Sequence, residues 1–211
     1  MAEMSMQFMR VPIKGNAVVV AFDMCSSSDI IEELTLSGAL KHLENFLTTL
    51  KRYLASAQKK VVYDPYKFTG DGWILLFPEN TDGKALFNFL QELCTFFQKE
   101  FRLQILQHLG TPPTITGITF GIEMGPLVSM TMYSQWEYIG RALNVACRLQ
   151  GAIKDKDSSP AYKALLSNAV FNKYFASVTK HVKVFKVRRK LRNIRGGADF
   201  HCKKIHLLKA I

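Results

Sequence analysis

The feature that most constrains the fold is a run of six apolar residues, residues 17–22, that ends at Asp23. The run is rich in valine, which favours a strand, and no polar residue interrupts it, which indicates burial on both faces. A strand buried on both faces lies within a sheet that is covered on both sides. The sequence therefore places a carboxylate where a buried strand meets a loop.

A second carboxylate, Asp71, lies in a predicted hairpin. The strand-like runs 61–68 and 73–77 flank the sequence Thr-Gly-Asp-Gly at residues 69–72, and closely spaced glycines between apolar runs are typical of a tight turn. We expect Asp71 to lie at the tip of this hairpin, with the possibility that the tip lies beside Asp23.

Helices and further strands are predicted from the spacing of apolar residues. Apolar side chains repeat at helical spacing as far as about residue 57, with a break near Gly38, and again over residues 84–106. Further predicted elements are strands over 115–123 and 127–132, helices over 141–153 and 161–175, and strands over 182–187 and 205–208. This order indicates an α+β fold in which helices cover a mainly antiparallel sheet.

The length and composition suit one domain. The chain has 211 residues, of which 48% are hydrophobic, enough for one sizeable core. Residues 1–15 are unpatterned, and Pro12 and Gly15 favour a loose arm, so we expect a single domain over residues 16–211. The longest apolar runs fall far short of a bilayer span of ~20 residues, and no signal pattern is visible, so a cytoplasmic protein is expected.

The cysteines and the charge limit the possible partners. The four cysteines are far apart without a C-x-x-C pair, which predicts free thiols and no structural metal. The net charge of +11 suggests a polyanionic ligand: nucleic acid, an anionic membrane or a triphosphate. Many of the basic residues fall within 183–195, which we interpret either as a solvated basic hairpin or as a phosphate-binding segment; no aromatic RNA-binding signature accompanies them.

Four side chains are candidates for chemistry from their residue types and positions. Asp23 and Asp71 offer the hard oxygen ligands that magnesium prefers, although a helix N-cap and a turn residue are the alternative interpretations. Asn144 and Arg148 are four residues apart on a predicted helix, so both point to one side and can contact a sugar and a phosphate. A solvated helix face is the alternative for that pair.

Four motifs in order resemble the catalytic domain of class III adenylyl and guanylyl cyclases. They are Phe-Asp-Met-Cys-Ser-Ser-Ser at 22–28, Lys-Phe-Thr-Gly-Asp at 67–71, Gly-Ile-Glu-Met-Gly-Pro at 121–126 and Gly-Arg-Ala-Leu-Asn-Val-Ala-Cys-Arg at 140–148. The resemblance covers most of residues 17–208. It implies a ferredoxin-like α+β fold and a head-to-tail homodimer that builds its active sites across the interface and converts a nucleoside triphosphate to a 3′,5′-cyclic nucleotide and pyrophosphate.

The resemblance also implies roles for individual residues. Asp23, Asp71 and the backbone carbonyl of Met24 would hold two divalent cations, Mg²⁺ or Mn²⁺. Asn144 would orient the ribose, and Arg148 of the other subunit would face the reacting phosphate.

Base recognition and triphosphate binding are assigned in the same way. Lys67 and Glu137 lie where the family reads the base. The triphosphate is assigned to Ser26, Ser27 and Ser28, which replace the family's usual Gly-Phe-Thr, and to Arg195, whose Arg-Gly pair is similar to the family's Lys-Gly phosphate contact.

The base that the enzyme would select is predicted from the positions at which this sequence departs from the family pattern. Guanine is disfavoured because guanylyl cyclases usually have Glu and Cys at these positions, and Glu137 is one methylene longer than the Asp of adenylyl cyclases, which favours a one-ring base if Tyr66 and Tyr138 narrow the pocket. Packing is the alternative role of these tyrosines. The residues of these motifs resemble those of the bacterial pyrimidine cyclases of anti-phage defence.

That narrower resemblance implies UTP as the favoured substrate, cUMP or cCMP as product and a separate effector that responds to the cyclic nucleotide, with no membrane or nucleic-acid partner required. The alternatives are an adenylyl cyclase that makes cAMP, a degenerate domain that binds nucleotide without turnover, and a nucleic-acid-binding protein that uses the basic stretch.

Overall fold

The fold is taken from a computed structural model that describes residues 12–208. The strands are β1 (Gly15–Met24), β2 (Asp64–Phe68), β3 (Gly72–Pro78), β4 (Ile118–Met132), β5 (Gln135–Ile139), β6 (Lys163–Ser167), β7 (Val184–Lys190) and β8 (Asp199–His206). The α-helices are α1 (Ser27–Leu36), α2 (Leu40–Ala57), α3 (Gly83–Gln104), α4 (Arg141–Lys154) and α5 (Asn168–Val170), and α5 continues as a π-helical turn, Phe171–Phe175. Short 3₁₀ helices are formed by Leu106–His108 and Arg195–Gly197.

These elements form one sheet of order β2-β3-β1-β4-β6-β8-β7, and β5 pairs with the far half of β4. The β4–β6 pair is parallel and the other pairs are antiparallel. The predicted α+β class with a mainly antiparallel sheet is confirmed.

Strand β1 is buried on both faces, as its uninterrupted apolar sequence predicts. Its residues Val18, Val20 and Phe22 join the core that α1, α2 and α3 cover. Its residues Ala17, Val19 and Ala21 face the other way and pack with Ala142 and Ala146 of α4. Asp23 follows at the end of this strand, opposite Gly72 on β3 and Thr119 on β4.

Helix α4 lies directly on β4 because Gly121 has no side chain. A Cβ atom at Gly121 would stand 1.9 Å from the backbone oxygen of Ala146 and 2.4 Å from the backbone nitrogen of Gln150. Real Cβ atoms do not approach backbone so closely, so this glycine permits the observed spacing of helix and strand. It thereby fixes where the outer face of α4 lies.

The strands predicted over 115–123 and 127–132 are in fact one continuous strand, β4. Pro126 is tolerated within it because pairing with β6 ends at Ile122, so no strand on that side needs the missing N–H. Strand β5 was not predicted. Its turn uses Tyr133 and Ser134 at φ values of 49° and 62°, which are residue types that give no sequence signal for a hairpin.

The helix predicted over 161–175 is wrong in its first half. Residues 163–167 form β6 between β4 and β8, and a helix begins only after Ser167, whose hydroxyl accepts a hydrogen bond from the N–H of Val170 at 3.3 Å. The apolar run is short enough to suit either structure, and its place between two strands decided the outcome.

The last residues of the loose arm predicted over residues 1–15 belong to the folded domain. Residues 1–11 lie outside the described range, but Ile13 is buried and its N–H donates to the Tyr138 hydroxyl at 3.1 Å, and β1 already begins at Gly15. Within residues 12–208, no helix is both long and apolar enough to cross a membrane.

Candidate active site

The two predicted metal-binding aspartates lie side by side at the end of β1. The β2–β3 turn reaches β1 closely because residue 72 is glycine: a Cβ atom there would stand 1.9 Å from the Phe22 backbone oxygen. The backbone oxygen of Asp71 accepts a hydrogen bond from the N–H of Met24 at 3.2 Å. The structure therefore joins the two motifs that the sequence separates by almost fifty residues.

A third side chain, Lys154 in the last turn of α4, contacts this pair. Its Nζ lies 2.6 Å from Oδ2 of Asp23, and both side chains are largely buried. The other oxygen of Asp23, Oδ1, is buried and receives no hydrogen bond within the described part of the chain. Sequence reasoning missed Lys154, because 131 residues separate it from Asp23 and no local spacing relates them.

The carboxylates influence one another's protonation. Burial raises the pKa of Asp23, the contact with the Asp71 carboxyl also raises it and Lys154 lowers it, and together these effects leave the pKa at about 7. Burial would also raise the pKa of Asp71, but hydrogen bonds with Asp23 and Ser27 and the charge of Lys154 leave it lowered. The negative charge of the pair is therefore reduced by the Lys154 ammonium and, below about pH 7, by a proton on Asp23.

The pair fits Mg²⁺ or Mn²⁺. Two carboxylates and the Met24 carbonyl are hard oxygen donors, and the buried free oxygen of Asp23 is available to a cation. Residues 12–208 contain no group of three or more His, Cys, Asp and Glu side chains that could complete a metal site by itself. Few protein ligands are expected for Mg²⁺, which keeps several waters and binds substrate phosphates.

The three serines that follow Asp23 differ in their contacts. Ser26 has a left-handed backbone with φ 54°, and its hydroxyl donates to the Ile115 backbone oxygen at 2.9 Å. Ser27 begins α1 and contacts Asp71 through a hydrogen bond that lowers the pKa of that carboxyl, whereas Ser28 is exposed. Ser26 therefore fixes the loop, and its role toward a triphosphate stays a prediction, as does that of Ser27 and Ser28.

Arg195, predicted to contact the triphosphate, begins the short helix between β7 and β8. Its side chain lies outside the described part of the structure. In the neighbouring basic segment, Lys186, Arg188 and Lys190 are exposed on β7, which is the edge strand of the sheet.

Lys67 and Glu137, predicted to read the base, come together from β2 and β5. Their charged groups are 3.9 Å apart, and the Tyr66 hydroxyl donates a hydrogen bond to the same oxygen of Glu137. Tyr138 is buried, and its hydroxyl accepts from Ile13, so it is a packing residue. Tyr66 is instead a neighbour that orients Glu137, which the sequence alone did not distinguish.

Asn144 and Arg148 lie on the outer face of α4, as their spacing predicts. Both are exposed, and neither forms a hydrogen bond or ion pair with another residue in the range 12–208. The inner face of the same helix is apolar and buried through Val145, Leu149 and Ile153. The chain thus presents an amide and a guanidinium outward on a rigid helix.

No protein-family model and no curated protein matches the sequence. Solved structures do match, beginning with the adenylyl cyclase CyaB from P. aeruginosa, with a TM-score of 0.69 and 16% identity over 93% of this chain and 95% of that one. Adenylate cyclases from Trypanosoma brucei in their monomeric state match with a TM-score of 0.64 and 16% identity, covering 93% and 91% of the two chains. The guanylyl cyclase Cya2 matches with a TM-score of 0.61 and 15% identity, covering 90% and 91%. The chain therefore has the fold of the adenylyl and guanylyl cyclases.

Proposed function

We propose that this protein is a class III nucleotidyl cyclase that converts a nucleoside triphosphate to a 3′,5′-cyclic nucleotide and pyrophosphate. The observation that supports this most directly is the carboxylate pair of Asp23 and Asp71 at the end of a buried strand, with a single ammonium, that of Lys154, beside it. A paired, largely buried carboxylate site on this fold suits a bound divalent cation better than a turn or a helix cap.

The reaction requires little covalent chemistry from the protein. The ribose 3′-oxygen forms a bond to the α-phosphorus as the bond from that phosphorus to the pyrophosphate oxygen breaks. Two bound divalent cations, Mg²⁺ or Mn²⁺, would lower the pKa of the 3′-hydroxyl and neutralise the triphosphate. Asp23, Asp71 and the Met24 carbonyl would hold these ions, Asn144 would orient the ribose, and Arg148 would stabilise charge on the α-phosphoryl oxygens.

A head-to-tail homodimer is part of the proposal. The exposed Asn144 and Arg148 have no partner among residues 12–208, so both side chains are accessible to a ligand or to a second chain. The β4–β5 hairpin also exposes several large apolar side chains, more than an isolated surface hairpin usually does: Val128, Met132, Tyr133, Trp136 and Ile139. In the proposed dimer a second copy covers this hairpin, and its Asp23 and Asp71 form a shared site with Asn144 and Arg148 of the first.

A pyrimidine substrate, with UTP favoured, is the finer part of the proposal. It is supported by Glu137, whose carboxylate accepts a hydrogen bond from the Tyr66 hydroxyl and lies near Lys67. The Glu137 side chain, one methylene longer than the Asp of adenylyl cyclases, is therefore held in one position. The product would be cUMP, an anti-phage signal that a separate effector reads. Adenylyl cyclase activity is the second candidate, favoured by the likeness to the adenylyl cyclase CyaB.

Product identification tests both levels of the proposal. Purified protein is incubated separately with ATP, GTP, CTP and UTP, with Mn²⁺ or Mg²⁺, and products are identified by mass spectrometry. Formation of a cyclic nucleotide that disappears in the Asp71→Ala variant supports the cyclase, and cUMP as main product supports the UTP preference. cAMP as main product would keep the mechanism and reject the pyrimidine assignment, and no product from any nucleotide would favour the degenerate domain.

A further inference from the structure

Lys154 occupies the position where a cation is needed. Its ammonium lies 2.6 Å from Oδ2 of Asp23, and the turn that carries Asp71 is held against the same strand end by the hydrogen bond from the Met24 N–H to the Asp71 backbone oxygen. The Asp23 and Lys154 side chains keep 22% and 29% of their exposure, so water screens their attraction much less than on an open surface. The structure therefore shows an internal counter-ion at the aspartate pair.

The ion pair is not needed to dock α4 on the sheet. The end of that helix is already anchored by Ile153 and Leu149, which are fully buried against β6 and β8, and by Gln150, whose amide donates to the Thr119 hydroxyl at 2.9 Å. A lysine ammonium is moreover a compact charge on a flexible four-carbon stem, so it can leave a partner without moving the helix.

We propose that Lys154 is a built-in competitor of the divalent cation: it neutralises Asp23 in the metal-free chain and must leave Oδ2 before a metal ion binds there. The inference rests on the proposed function, because it takes Asp23 and Asp71 as the metal ligands. Lys154 thus sets the concentration of metal at which the site fills. It is a positioning residue that acts through Asp23.

The test is the binding of Mn²⁺ to the full chain without nucleotide, followed by electron paramagnetic resonance of the free ion at pH 8. In the Lys154→Met variant the stem is kept and the charge removed, so Mn²⁺ no longer competes with an ammonium. Hydrogen bonds to charged groups are stronger than those between neutral groups. We therefore expect the variant to bind Mn²⁺ at least roughly 10-fold more tightly than the wild type does. Lys154→Arg, which keeps a cation, should bind Mn²⁺ like the wild type.

Two further variants make the result specific. Lys156→Met removes a charge from an exposed residue two positions later and should leave Mn²⁺ affinity unchanged. The increase in melting temperature on adding a fixed Mn²⁺ concentration should be larger for Lys154→Met than for the wild type, because its metal-free carboxylates are uncompensated. If Lys154 merely tethered the helix, the Lys154→Met substitution would lower the melting temperature by the same amount with and without Mn²⁺.

The Asp71→Asn variant separates failure of this inference from failure of the proposed function. If Asp71→Asn loses Mn²⁺ binding while Lys154→Met binds Mn²⁺ with wild-type or lower affinity, the metal site stands and the competitor role of Lys154 is rejected. If Asp71→Asn binds Mn²⁺ like the wild type, the aspartate pair is not the metal site, and both the metal assignment and the inference fall.

Discussion

The aspartate end of β1 and the outer face of α4 belong to one domain but differ in how far their polar groups are satisfied. At the first, Asp23 is partly buried and paired with Lys154 within the chain. At the second, Asn144 and Arg148 are exposed and have no partner within residues 12–208. The comparison teaches that one half of the proposed site is compensated within the described chain, whereas the other is exposed and accessible from outside it.

The largest effect is expected when each half of the proposed site is inactivated in a separate variant and the two variants are then mixed. Asp71→Ala and Arg148→Ala should each lower turnover at least ~10²–10³-fold, since one removes a metal ligand and the other a phosphate-facing charge. Mixed in equal amounts and allowed to exchange, they should recover about a quarter of wild-type activity, because half of the dimers are mixed and each has one intact site. Product is measured by mass spectrometry.

The control for that recombination uses two variants of the same half. Asp71→Ala mixed with Asp23→Asn should recover nothing, because every composite site then lacks a metal ligand. Recovery in this mixture, or none in the first with mixed dimers shown to form, would contradict sites shared between chains.

Gly121 allows α4, which carries Asn144 and Arg148, to pack closely on β4. A side chain at this position should push the helix away from the sheet. Gly121→Ala places a Cβ 1.9 Å from the Ala146 oxygen, so α4 must shift, and we expect the free energy of unfolding to fall by about 2–4 kcal/mol. In the matched variant Gly125→Ala the new atom meets only the Ala142 Cβ at 3.6 Å, an ordinary contact. Urea denaturation that finds both variants equally stable would reject the close packing of α4 on β4.

The contact between Tyr66 and Glu137 gives an effect of intermediate size. Tyr66→Phe removes the hydroxyl that holds the Glu137 carboxylate, so the ratio of kcat/KM for UTP to that for ATP should change about 10-fold. Tyr53→Phe is the control, because the Tyr53 hydroxyl has no hydrogen-bond partner in the described residues and lies on α2. An unchanged ratio in Tyr66→Phe would mean that Glu137 does not select the base.

The smallest effect is the pH dependence of the aspartate end. Because burial raises the pKa of Asp23 from 3.8 to about 7, the folded chain binds this proton more tightly than the unfolded one. Its stabilising contribution is complete below pH 3.8 and is lost as the pH rises through 7. Asp71, with its lowered pKa, acts in the opposite direction only at lower pH.

In EDTA, we therefore expect the stability of the wild type relative to Asp23→Asn to fall between pH 5 and pH 8. The fall should be roughly 1 kcal/mol, less than the full pKa shift would give, because the carboxylate keeps some contact with water. Thermal melts of the two proteins across this range measure the difference. Mn²⁺ at pH 8 should restore the wild type and leave the variant unchanged, and parallel curves without Mn²⁺ would contradict the raised pKa.

Local patterns in the sequence predicted the parts of the fold that depend on neighbouring residues. The apolar run of β1, the helical spacing of α3 and the glycines around Asp71 each report a local structure, and each prediction is confirmed. The break near Gly38 is also confirmed, because that glycine has φ 70° between α1 and α2. In contrast, β6 was misread because its neighbours in the sheet, not its own residues, decide its structure.

The site shows the same division. Strand ends and a hairpin allowed Asp71 to lie beside Asp23 without requiring it, whereas the contact of Lys67 with Glu137 was predicted only through family resemblance. Lys154 could not be found from the sequence, because its partner is 131 residues away and a lysine near the end of a helix is ordinary.

The unbroken backbone of β4 restricts which changes of chain length the protein can accept. Residues 118–127 pair with β1 beside the aspartates, and residues 128–132 pair with β5, which places Glu137 opposite Met130. Successive side chains of a strand alternate between faces, so a single residue inserted between these halves would turn Glu137 away from Lys67 while leaving the buried half intact. We therefore expect a one-residue insertion or deletion between the two halves of β4 to disturb the contact of Glu137 with Lys67 more than a change of residue type there would.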